Sequence, residues 1–140
     1  MQSTKIKKAT FKHIEAELYS YHDTKKEIAR LREEIMYDTQ QADENIGGNR
    51  TLEVGRPTER IATRLLTHKT LRNMEEVTEA IESVYNNLEK EQQDIVNMRY
   101  WAKPSKDWGY IADMCCMGRR TAFNYRAMIV MTIAEKIGWR

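Results

Sequence analysis

Phe11, Ile14, Leu18, Tyr21, Ile28 and Ile35 stand in one heptad register, separated by steps of three, four and three residues and then two steps of seven. Steps of three and four return a side chain to the same face of an α-helix. The stretch from Thr10 to Tyr37 therefore predicts one long amphipathic helix, roughly 40 Å end to end at 1.5 Å per residue. Thr10 is the expected N-cap, its hydroxyl accepting a free amide of the first turn. No Gly or Pro interrupts the segment. Lys25 and Arg32 fall where the register asks for apolar residues, and Leu31 sits beside the stripe. Broken heptads argue against an extended coiled coil. They fit a helix that folds back on a second helix of its own chain, or one that forms a dimer seam.

Residues 38–57, DTQQADENIGGNRTLEVGRP, change character: three of the six glycines and one of the two prolines lie here. The segment is expected to be a connection, long for a compact domain, with Ile46, Leu52 and Val54 as its apolar anchors. It holds neither GxxxxGK[ST] nor GxGxxG, so Gly47-Gly48 reads as a permissive turn and not a phosphate cradle. A second long helix is expected from Pro57–Thr58, with apolar positions at Ile61, Leu65, Leu71, Met74, Val77, Ile81, Val84 and Leu88. Its end is expected at Asn86–Asn87, since consecutive Asn residues favour turns.

After residue 88 the helical patterns shorten. Residues 89–101 predict a helix with Ile95, Met98 and Trp101 inward. Residues 102–106 predict a break, because Pro104 disfavours a helical residue before it. Residues 107–114 predict a short helix, residues 115–118 a tight turn, and residues 119–137 a longer helix stopped by Gly138. No stretch sustains period-2 alternation, so the expected fold class is all-α. The expected organisation is a long helical hairpin over 1–88, with its Gly-containing loop at 38–57, followed by a helix-turn-helix domain over 89–140.

Of the 140 residues 41% are hydrophobic and 31% charged, enough for a modest core. No apolar run approaches the roughly 20 residues that span a bilayer, and the N-terminal MQSTKIKKATFKH has no apolar signal-like stretch. Cys115 and Cys116 are adjacent and make poor disulfide partners, and two thiols alone do not build a structural zinc site. A soluble, reduced protein of the cytoplasm is expected, with no membrane contact, no metal and no cofactor. The net charge of +2 conceals segregation: residues 103–140 carry seven basic against three acidic side chains. That quarter has the charge of a nucleic-acid binder although the whole does not.

The last two helices have helix-turn-helix spacing. Ile111 and Ala112 supply the inward apolar and small positions of the support helix, Cys115 the next inward position, and Met117 a plug for the turn. Ala122, Tyr125 and Ile129 face back from the second helix. Its outward face is then Arg119, Arg120, Phe123, Asn124 and Ala127, flanked by Thr121 and Arg126. Arg binds guanine O6 and N7 with two hydrogen bonds, Asn does the same with adenine, and Phe123 suits a thymine methyl group. The paired arginines lie at the N-terminal end, from which base contacts usually come and where the helix dipole favours phosphate. Lys103 and Lys106 precede the support helix and are placed to hold the phosphate backbone, and Arg126 is a further phosphate candidate. Phosphate contacts set register; base contacts carry sequence information.

Competing chemistry finds little purchase. His13, His22 and His68 are scattered without HExxH or EF-hand spacing, and no base can be placed beside Cys115. Trp101, Trp108 and Trp139 read as packing residues. No nucleophile, metal cluster or phosphate loop assembles, so the chain is not expected to be an enzyme. Two other binding roles fit the same elements: a DNA-packaging recognition subunit similar to small terminase proteins, and a polymerase-binding interaction module built on the hairpin.

The stretch NNLEKEQQDIVNMRYW, with DWGYIADMCCMGRRTAFNYRAMI after it, resembles the promoter-reading C-terminal domain of bacterial sigma factors. Nearly the whole chain resembles the RinA-type phage transcriptional activators, through ATFKHIEAELYSYHDTKKEIARLREEI, DENIGGNR, VTEAIESVYNNL, RRTAFNYR and the closing AEKIGWR. The resemblance implies a phage or prophage regulator that activates late genes, packaging and morphogenesis operons among them, in a Gram-positive host. It implies that Arg119, Arg120, Thr121, Asn124 and Arg126 lie in the recognition helix and its flank. The implied partners are double-stranded DNA and RNA polymerase or a sigma factor, with a homodimer as a further expectation from half-site geometry. CCMG departs from the family pattern, where a leucine-containing turn ending in Ser is more usual.

Overall fold

A computed structural model describes residues 5–44 and 57–140. Among these residues six α-helices follow in order: α1 (Lys8–Tyr19), α2 (Tyr21–Glu44), α3 (Pro57–Asn86), α4 (Lys90–Val96), α5 (Trp108–Met114) and α6 (Arg119–Ile137). A π-helical turn, Asn97–Trp101, extends α4. No strand occurs among the described residues, and the fold is all-α as expected.

The first expected helix is two helices. Ser20 breaks it at φ −90°, ψ 0°, outside the α-helical basin, while its amide still donates to the Ala16 carbonyl at 3.0 Å. Serine competes with its own backbone for hydrogen bonds and tolerates such breaks better than the apolar residues around it. The start also differs. Lys7 is the N-cap residue, and Thr10 lies inside the first turn with its hydroxyl donating to the Arg140 carbonyl at 2.6 Å. At the other end α2 runs to Glu44, past the expected stop near Tyr37. Residues 38–44, DTQQADE, hold no Gly or Pro and include the good helix formers Gln, Ala and Glu. The remainder of the expected loop, including Gly47-Gly48, Ile46, Leu52 and Val54, lies outside the described residues.

Packing divides the chain into two compact units, residues 1–22 with 77–140 and residues 23–76. This grouping differs from the division at residue 88 read from the sequence, because α1 and the end of α3 share a core with the C-terminal helices.

The first unit is built around one apolar cluster. Ile14 and Leu18 of α1, Val77, Ile81 and Val84 of α3, Val96 and Tyr100 around the π turn, and Ile129, Val130 and Ile133 of α6 meet in it. Several are fully buried, so each contributes close to its whole transfer free energy, about 1.5–3 kcal/mol. Trp101 is half-buried, and its indole N–H donates to the Leu18 carbonyl at 3.1 Å. Stacked on Tyr21, it closes the edge of the cluster.

Among the described residues the second unit has a far smaller core. Ile28 and Leu31 of α2 pack with Leu71 of α3, joined by the half-buried Ile35 and Met74. Arg32 pairs with Glu75 across the two helices. Ile61 and Leu65, expected on the inward stripe of α3, are 57% and 65% exposed. The reason is register. At 3.6 residues per turn, the six-residue step from Leu65 to Leu71 turns the helix about two-thirds of a revolution. Apolar residues on the two sides of that step face different ways.

Candidate nucleic-acid interface

α5, the turn at residues 115–118 and α6 follow in the order and with the lengths expected, and local chemistry explains each boundary. Asp107 caps α5, its carboxylate accepting the Tyr110 amide at 2.7 Å. Gly118 stands at the N-cap of α6 with extended backbone and no side-chain acceptor. Gly138 ends α6 at φ 89°, the left-handed conformation that glycine adopts without a Cβ penalty. In the turn, Cys116 has φ 54°. This is the position where glycine is often found, and the left-handed backbone gives the reason. The turn is closed by the Met117 amide on the Ala112 carbonyl at 2.9 Å and the Cys116 amide on the Asp113 carbonyl at 3.2 Å.

Ile111, Ala112, Ala122 and Ile129 are buried as the spacing predicts; Cys115, Met117 and Tyr125 are half-buried. Burial pushes the Cys115 thiol above its ordinary value, with Asp94 and Glu91 adding to the effect. It sits on the inert side of cysteine chemistry.

The outward surface collects most of the expected contact residues. Arg119, Arg120, Thr121 and Asn124 are exposed in the first two turns of α6. Among the described residues no hydrogen bond or ion pair engages either arginine head. Phe123 is 39% exposed, and its ring packs against Trp108 at 5.4 Å between centroids. Lys103 is exposed. Lys106 is half-buried, with its ammonium 5.5 Å from the centre of the Tyr110 ring.

The segment carrying the two lysines is held by the end of the preceding helix. A helix terminus leaves carbonyls without intrahelical donors. Here the Lys106 amide donates to the Met98 carbonyl at 3.0 Å and the Ser105 hydroxyl to the Arg99 carbonyl at 2.6 Å. Arg99 returns a bond from its guanidinium to the Lys106 carbonyl at 3.0 Å.

Arg126 departs from expectation. The sequence suggests a phosphate contact, but the guanidinium is engaged by partners within the protein. Nε and Nη2 donate to the two carboxylate oxygens of Glu15 in α1, at 2.8 and 2.7 Å. The Tyr100 hydroxyl donates to the same carboxylate at 2.6 Å. The guanidinium also lies over the rings of Phe11 and Trp108, 5.1 and 5.7 Å from their centres. A planar fork on a carboxylate is the strong form of this contact. Burial alone would raise the Glu15 carboxyl, but the hydrogen bonds from Arg126 and Tyr100 outweigh it and hold the group below its ordinary value. The Tyr100 hydroxyl and the Arg126 guanidinium are both pushed up, Tyr100 first by burial and Arg126 first by its bond to Glu15.

Glu15 and Trp108 are thus the residues that seat the outward helix, and neither was singled out for that role in the sequence. Trp108 is read correctly as packing, but Glu15 lies 111 residues from Arg126, beyond any spacing rule. No helix among the described residues is long and apolar enough to cross a membrane, and no group of three or more His, Cys, Asp or Glu among them could hold a metal ion.

The chain is 27% identical over 133 residues to the transcriptional activator rinA of Staphylococcus phage phi11, covering 95% of this chain and 94% of that protein. No solved structure matches it. A family model described as "Protein of unknown function (DUF722)" matches residues 12–135. With nearly its whole length inside that match, and a RinA-type phage activator as a full-length relative, the chain belongs to the DUF722 family.

Proposed function

We propose that the chain is a sequence-specific DNA-binding transcriptional activator of phage or prophage late genes, acting without enzymatic chemistry in the cytoplasm of the host bacterium. The observation that carries this reading is the pair Arg119 and Arg120: exposed, unengaged within the described residues, and set at the N-terminal end of α6, straight after the tight turn. The full-length similarity to a transcriptional activator supports it. In this reading the first turns of α6 enter the major groove. Arg119, Arg120 and Asn124 read base edges, Phe123 meets a thymine methyl group, and Thr121, Lys103 and Lys106 hold phosphates. Arg126 acts from behind, as the residue that seats the helix. RNA polymerase or a sigma factor is the protein partner at the promoter, and two copies on two half-sites give the discrimination that one small domain lacks.

Gel-shift titration on fragments of the phage genome tests the reading. Arg120→Ala is expected to weaken binding to the preferred fragment by about 1–3 kcal/mol and to relax its base preference, while Lys106→Ala weakens binding to all sequences alike. Affinity is expected to fall steeply with added salt as phosphate-bound counterions are released. Unchanged affinity in Arg120→Ala, or a flat salt response, would remove the recognition-helix assignment.

A further inference from the structure

The second unit carries apolar surface that its own core does not use. Met36 and Tyr37 of α2 are 62% and 61% exposed, and Ile61, Leu65 and Leu66 of α3 are 57%, 65% and 63% exposed. Single exposed apolar residues are ordinary, but five large ones within a few turns of two packed helices are not. Their placement follows from the same break in register. Four and eight residues before Leu71 stand Thr67 and Thr63, so the stripe that joins α3 to α2 becomes polar towards the start of α3. Apolar character moves to Ile61 and Leu65, one turn apart on another face. On α2, Tyr37 lies two residues beyond Ile35, and such a step points it nearly opposite to the inward stripe.

The charges beside these faces have opposite sign. Glu33 and Glu34 stand one turn before Met36 and Tyr37, and residues 33–41 hold three acidic and no basic side chains. Glu34 shares Arg30 with Glu27, which leaves this face of α2 acidic on balance. Arg64 and Lys69 stand one turn after Ile61 and Leu65, and residues 58–72 hold four basic and one acidic side chain.

We infer that these two faces pair with those of a second copy of this chain. α2 of each copy lies against α3 of the other, and two hairpins close into a four-helix arrangement. A two-fold axis places each acidic-edged apolar face on a basic-edged one twice, which makes the surface self-complementary. The inference rests on the paired state put forward above and assigns it a surface. It needs no DNA, so its test is separate from that of DNA binding.

Sedimentation equilibrium of the full chain without DNA is the experiment. The expected mass at micromolar concentration is that of two copies. Ile61→Glu with Leu65→Glu is expected to weaken association at least a hundredfold, with helical content by circular dichroism unchanged. A charge exchange then identifies the pairing. Glu33→Lys with Glu34→Lys makes one chain basic on both faces, and Arg64→Glu with Lys69→Glu makes another acidic on both. Each variant alone is expected to sediment as one copy, and an equimolar mixture as two. A wild-type mass of one copy would overturn both the pairing and its surface. A wild-type mass of two that neither exchange disturbs would overturn the surface alone, as would assemblies that keep growing with concentration.

Discussion

Among the described residues, the first unit draws side chains from α1, α3, the π turn and α6 into one cluster that is almost wholly inaccessible; the second closes on Ile28, Leu31 and Leu71 with two half-buried neighbours. Both contain residues of one helix, α3, so the difference is not one of helix preference. It lies in how many partners each turn of α3 finds. Val77, Ile81 and Val84 share a cluster with several elements, whereas among the described residues Leu71 meets one other helix. Stability follows partners, because a buried side chain gains from contacts on all sides and loses them to a void when truncated.

The contrast can be tested by removing the same kind of side chain from each unit. Ile129→Ala is expected to cost about 2–5 kcal/mol in chemical denaturation, because neighbours from several elements cannot all follow into the space. Leu71→Ala is expected near the low end, about 2 kcal/mol, since a site with one partner helix relaxes more easily. Equal losses would mean that the two cores are equally tight.

The next effect concerns the ion pair inside the first unit. Glu15→Ala leaves the Arg126 guanidinium and the Tyr100 hydroxyl without their acceptor, and is expected to cost about 1–3 kcal/mol, moderated by the partial exposure of Arg126. The folded-state carboxyl lies below its ordinary value of 4.5, so its contribution is complete above that pH and is lost as pH falls through the folded value. Denaturation midpoints of the wild type should therefore drop on acidification below about 4.5 more steeply than those of Glu15→Gln. Coincident pH profiles would show that the pair adds nothing.

Smaller effects probe the turn. Cys116 holds a left-handed backbone at roughly 1–2 kcal/mol, a cost that glycine avoids while losing more chain entropy on folding. Cys116→Gly is expected to raise stability by up to about 1 kcal/mol. Gly118→Ser adds a cap acceptor at an extended position with open space around its Cβ, and is expected to gain a few tenths of a kcal/mol. Thermal melting resolves both, and a loss in either would mean that the turn geometry differs from the one described.

Much of the fold was open to sequence reading where local chemistry decides it. Asp107, Gly118 and Gly138 mark the ends of α5 and α6 because capping and left-handed backbone are properties of single residues. Arg119, Arg120, Thr121 and Asn124 were legible as outward because Ala122 and Ile129 define the opposite face. The misses are cases where distant packing decides. Ser20 sits in an otherwise unbroken helical pattern, and Ile61 and Leu65 count as a stripe until the six-residue step to Leu71 is weighed. Arg126 looked like a phosphate ligand because its partner Glu15 belongs to a helix near the other end of the chain.

That α1 lies against α6 has a consequence for the order of events during synthesis. Ile14 and Leu18 leave the ribosome long before Ile129 and Ile133, which help to cover them. Until α6 is made, the first helix waits with part of its apolar face uncovered. A message cut short before α6 would yield a product unable to shelter it, a natural target for chaperones or proteolysis.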